Sequence, residues 1–198
     1  PKHAAEIAAL VNGYTKLNSR RKPEMIAPDT FSLVNYREAE RVLAEWADLV
    51  ARAEKVEAAL PAAAHDAFFQ LVLYPIQACA NLNELYVAAG RNRLYSVQGR
   101  FDTNREAARV RQAFDTDAAL VRRYHALAGG KWNHQMDQAK FGYVIWQEPA
   151  AEVMPAVAQL RPNQGPVPAL AFEGRDTGWP VWGAPLPKVP SLDVYSQG

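Results

Sequence analysis

Chemically capable side chains are densest between residues 129 and 146, where the chain reads GGKWNHQMDQAKFGYVIW. Trp132 and Tyr143 offer flat apolar rings, and Asn133, His134, Asp137, Gln138 and Lys140 add directional donors and acceptors within a few residues. Sugars present both kinds of surface, C–H faces that lie on aromatic rings and hydroxyls that seek amides and carboxylates, so saccharide contact fits the mixture. Trp132, Asn133, His134, Asp137 and Tyr143 are therefore the candidate substrate-binding residues. The same stretch admits a structural account. Gly129 and Gly130 turn the chain, Asn133 or Asp137 caps a short helix, and Trp132, Phe141 and Trp146 cover the end of a helical core.

Two other groupings carry polar chemistry. Gln70, Tyr74, Gln77, Asn81 and Glu84 recur at helical steps and form one polar stripe on an otherwise apolar segment, either the support of a cleft or the wet face of a helix. Arg91, Arg93 and Arg100 surround the end of that segment, where guanidinium forks could hold a carboxylate or phosphate or could simply complement a helix C-terminus. Asp115 and Asp117 point to different sides of a helix, which disfavours a catalytic carboxylate pair and reads better as solvated surface acids. No glycine-rich phosphate loop, HExxH, paired CxxC or nucleophile elbow occurs. His3, His65, His125 and His134 are scattered, with no pair at ligand spacing on one helical face, so neither a metal nor a cofactor is expected. No residue of the chain is assigned a catalytic role.

The elements that must position these groups divide the chain in two. Ile7, Leu10, Val11, Tyr14 and Leu17 put an apolar stripe on a first helix. Ala39, Val42, Trp46, Leu49, Ala53, Val56 and Leu60 do the same on a second, which Asn35 and Glu38 would open as a capping box and Pro61 would end. Its outer face pairs Arg41 with Glu45 and Asp48 with Arg52. A third helix runs from about Ala62 to at least Ala89, apolar nearly all round and kinked at Pro75, and its amides and proline argue against a membrane span. A fourth starts at Asp102 or Thr103 and stops at Gly129 and Gly130. This predicts a mainly α protein, a four-helix bundle-like domain over residues 1–148. Nine of the fourteen prolines follow from Pro149 onward. Residues 149–198 accordingly read as a proline-rich extension with a strand at 166–174, either the start of a β-domain or a strap along the bundle.

Composition supports a packed fold. The chain has 198 residues, 49% hydrophobic and 22% charged, and a net charge of +1, so no large field of one sign draws it to nucleic acid or an anionic membrane. Cys79, the single cysteine, has no internal disulfide partner and sits in an apolar run. The start at Pro1 lacks the regions of a signal peptide, and the chain reads as a piece of a longer protein.

RRKPE (20–24), ACANLNELYVAAGRNRLYSVQGR (78–100), GGKWNHQMDQAKFGYVIWQEP (129–149), ALAFEG and PSLDVYSQ together resemble the xylan α-1,2-glucuronidases of glycoside hydrolase family 115. The resemblance implies a multidomain enzyme that removes glucuronic acid or its 4-O-methyl ether from glucuronoxylan with inversion, its acid and base lying on an upstream TIM-like barrel. It further implies that this chain is the helical domain plus the start of a C-terminal β-sandwich, that the enzyme is a homodimer, and that it is extracellular or periplasmic because its substrate is a polymer. On this reading the helical piece supports the active-site face and subunit contacts. The alternative, from the residues alone, is a non-catalytic helical assembly module.

Overall fold

A computed structural model describes residues 2–145 and 147–161, together with two short strands. The architecture is mainly helical, as the periodicities predict. Helices α1 (Ala4–Asn18), α2 (Glu38–Ala59), α3 (His65–Phe68), α4 (Tyr74–Val97) and α5 (Asp102–Gly130) follow one another, and α3 continues into α4 through a π-helical turn, Phe69–Leu73. Strands β1 (Ala169–Leu170) and β2 (Trp179–Pro180) pair antiparallel, with Ala169 opposite Pro180. The rest of the strand expected at 166–174 lies outside the described residues.

Pro75 has no N–H and its ring crowds the preceding turn, yet the rod does not break. The Tyr74 N–H reaches five residues back to the Phe69 carbonyl, and this wider turn accommodates the proline just inside α4. The core lies in two clusters along this rod. Leu10 of α1, Trp46 and Leu49 of α2, Phe69, Leu73 and Tyr124 make the first. Leu85 and Ala89 of α4, Val110 of α5, Ile26 and Phe141 make the second.

On α2 the expected stripe from Ala39 to Val56 is buried throughout. Val11 of α1, by contrast, faces solvent. Three local details differ from expectation. Helix α2 has Arg37 at its N-cap in the left-handed region, and Glu38 accepts the Ser32 N–H instead of closing a box with Asn35. Helix α5 follows Phe101 with no side-chain cap, and the Thr103 hydroxyl donates to the Arg100 carbonyl. Glu45 pairs with Arg20 of the α1–α2 loop, whereas Asp48 and Arg52 do meet, at 3.6 Å.

The loop after α1 carries Pro23 and Glu24 and folds down onto α4 at Gly90. A Cβ there would come within 2.3 Å of the Pro28 carbonyl oxygen, so only glycine admits the approach. Residues 151–161 run extended over the α4–α5 corner. The buried Asn92 amide accepts the Ala158 N–H at 2.8 Å and donates to the Ala158 carbonyl at 3.0 Å. Asn104 treats Leu160 the same way, at 2.8 and 2.9 Å. Two side-chain amides thus replace the neighbouring strand an extended segment normally requires, and Met154 and Val157 pack on the second cluster.

Candidate functional site

Helix α5 ends because Leu127 turns extended and Ala128 and Gly129 adopt left-handed geometry, with φ of 50 and 68°. The Asp66 carboxylate accepts the Ala128 N–H at 3.0 Å and fixes this exit. The chain then passes through turns at 131–136 and returns across α4 and α5.

Two glutamates hold the returning strand of loop. Glu152 accepts the Lys140 N–H at 2.9 Å through Oε1 and the Phe141 N–H at 3.0 Å through Oε2. Glu148 accepts the Ala139 N–H at 2.9 Å. Lys140 Nζ sits 2.9 Å from Asp117 Oδ2 and 3.0 Å from Glu152 Oε1, so one cation serves two carboxylates. Burial pushes the Asp117 carboxyl above the usual carboxylate range, against the opposing pull of Lys140. Burial works against the Lys140 charge too, but Asp117 and Glu152 outweigh it and raise its pKa.

Asp117 is 4% exposed, which corrects its reading as a solvated surface acid; Asp115 is exposed, as expected. The signal was present in the sequence. Asp117 is seven residues beyond Val110 and seven before Tyr124, on the stripe that faces the core.

Above this network lies a cleft of about 270 Å³ between the Pro23–Glu24 turn, α4 and the returning loop, lined among others by Tyr74, Asp117, Gln138, Lys140 and Tyr143. Tyr143 is the candidate residue that lines it, and its hydroxyl donates to the Ala139 carbonyl at 3.1 Å. Trp132 packs against the first core cluster, with Lys131 Nζ 4.9 Å from its ring centre. Asn133 is exposed.

His134 and Asp137 do come together, Nδ1 to Oδ2 at 2.6 Å, on a residue whose φ is 65° and whose side chain is 75% exposed. His125 joins them from α5, its Nε2 3.6 Å from Asp137 Oδ1. That nitrogen also accepts the Met136 N–H at 3.2 Å. With Nε2 accepting that bond, the ring proton is placed on Nδ1. Among the described residues no cluster of three or more His, Cys, Asp or Glu could hold a metal ion.

The polar stripe on the central rod mostly joins helices. Gln70 donates to the Tyr124 hydroxyl at 3.0 Å, Gln77 to Glu54 at 2.9 Å and Asn81 to the Ala113 carbonyl at 2.8 Å. Tyr74 alone of the five reaches the cleft. Among the described residues Arg91 and Arg100 take separate partners: Arg91 donates to Glu40 at 2.7 Å, and Arg100 meets Asp102 at 3.4 Å and lies over the Tyr95 ring at 3.7 Å.

A mainly helical domain with this topology is similar to part of a glycoside hydrolase. The solved structure is that of BtGH115A, a family GH115 4-O-methyl-α-glucuronidase described as specific for decorated arabinogalactans. It is 25% identical, with a TM-score of 0.51, over 78% of this chain and 22% of that one. This chain therefore spans about a fifth of that protein's length. No family model and no curated protein matches the sequence.

Proposed function

We propose that the chain is the helical domain of a larger α-glucuronidase that hydrolyses (4-O-methyl)glucuronic acid side chains from glucuronoxylan with inversion, and that it supports the active-site face and subunit contacts. The observation that carries the reading is the structural likeness to a GH115 enzyme over 78% of the chain. The catalytic acid and base belong to a barrel elsewhere in the polypeptide, separated widely enough for water to attack between them. Location outside the cytoplasm goes with a polymeric substrate; no helix among the described residues is long and apolar enough to cross a membrane.

The full-length enzyme, assayed on glucuronoxylan with the released sugar's anomer followed by NMR, yields β-configured (4-O-methyl)glucuronic acid. Absence of release from glucuronoxylan and from glucuronate-decorated arabinogalactan alike overturns the reading. In the same enzyme Trp132→Ala and His134→Ala lower kcat/KM if the 129–146 face approaches substrate; unchanged values with intact folding make that face structural. Sedimentation of the full-length protein tests the homodimer.

A further inference from the structure

We propose that the cleft above Asp117 binds one neutral sugar ring and rejects a uronate, a subsite for the uncharged backbone rather than for the side chain. The inference rests on the carbohydrate-active reading given above and adds a ligand class to it. Asp117 is nine-tenths buried and commits Oδ2 to Lys140; among the described residues Oδ1 has no hydrogen-bonding or ion-pair partner, and Asp117 lines the cleft. Oδ1 is not among the buried polar atoms left without a partner, so it is open to solvent and can accept from a donor that enters the cleft. Lys140 Nζ stands 2.9 Å from Asp117 Oδ2 and bonds two oxygens with three N–H groups, leaving one donor beside that acceptor. A hydroxyl both donates and accepts, so one sugar hydroxyl satisfies both atoms together.

Charge selects among ligands. Among the described residues that line the cleft, Glu24 and Asp117 are acidic and Lys140 is the one cation, with Glu152 behind it. A carboxylate entering here meets three of its own sign and one opposite. An ammonium group gains from the carboxylates but must sit against the Lys140 cation. A neutral hydroxylated ring meets neither repulsion. Around the pair, Gln135 and Gln138 supply amides, and Tyr143, with its proton committed to Ala139, supplies an aromatic wall. The volume, about 270 Å³, is below the roughly 300–1,000 Å³ of drug-sized sites and suits one ring.

The test is an amide NMR titration of the 198-residue chain. Methyl β-xyloside, methyl α-arabinofuranoside, sodium glucuronate and ethanolammonium are each added to tens of millimolar. A neutral glycoside should shift the amides of Ala139, Lys140, Phe141 and Tyr143 saturably, while glucuronate and ethanolammonium leave them in place. Gln138→Ala and Tyr143→Ala should each weaken neutral binding about fivefold or more. Asp117→Asn adds a third reading where it folds; Gln138 is exposed and does not depend on that. No neutral shift, or a stronger response to glucuronate or to the amine, overturns the subsite. Its failure beside a full-length enzyme that still releases glucuronic acid removes the subsite and leaves the proposed function standing.

Discussion

Glu40 reports how a single half-buried pair sets acid sensitivity. Burial alone would raise its pKa, but the hydrogen bond from Arg91, its own backbone and the charges of Arg91 and Arg37 hold it below the ordinary value. A carboxyl with a lower pKa in the folded chain stabilises the fold above its unfolded pKa, about 4.3, and loses that contribution as pH falls through the folded value. The melting temperature of Glu40→Gln should therefore fall less than that of the native chain between about pH 5 and about pH 3. Parallel losses in both proteins would show that Glu40 plays no part. Residues of this kind were partly legible. The buried stripe of α2 followed directly from its spacing, because a 3.6-residue period needs no knowledge of partners. Asp117 shared the core phase of α5, but which cation met it depended on Lys140, a residue from a loop no periodicity places. Asn92 and Asn104 gave no signal at all, since what they hold in the extended segment, the main chain of Ala158 and Leu160, lies more than fifty positions away.

At the scale of elements, the extended segment over the α4–α5 corner is held by amides where a sheet would use a neighbouring strand. Asn92→Ala removes two bonds to Ala158 and one to the Thr103 carbonyl, 2.8 Å away. Unfolding by urea should show a loss of about 2–3 kcal/mol, with faster hydrogen exchange at the Ala158 amide. An unchanged exchange rate would mean that the segment is held by Met154 and Val157 instead. The sequence left the tail from residue 166 open between a new domain and a strap; the described stretch before it, 151–161, lies extended on α4 and α5. Prolines announced the end of helical structure there. They carry no information about what the extended chain lies upon. The same limit applied to the candidate site: the glycines after Leu127 foretold the turn, but the folding-back that separates Trp132 from Tyr143 is set by Glu148 and Glu152, whose targets are main-chain N–H groups.

For the molecule as a whole, the two core clusters share the rod formed by the π turn and α4, so they should stand or fall together. Leu73→Ala in the first and Leu85→Ala in the second should each destabilise by about 2–5 kcal/mol. Far- and near-ultraviolet circular dichroism should follow one transition in both variants. Separate transitions would make the clusters independent units. The wide turn at Phe69–Leu73 bears on how such a protein tolerates changes of length. Excising one residue from it would restore an uninterrupted α-helix and leave the residues upstream nearly in phase, because five residues in the wider turn wind the rod about as far as four in an α-helix. Phe68 would keep its place in the core, and Asp66 would keep the Ala128 amide that it holds where α5 ends. A gene that drops a single codon here would thus spare the hydrophobic interior and the entrance to the 129–146 loop, while the same loss within α4 itself would swing everything upstream by about 100°.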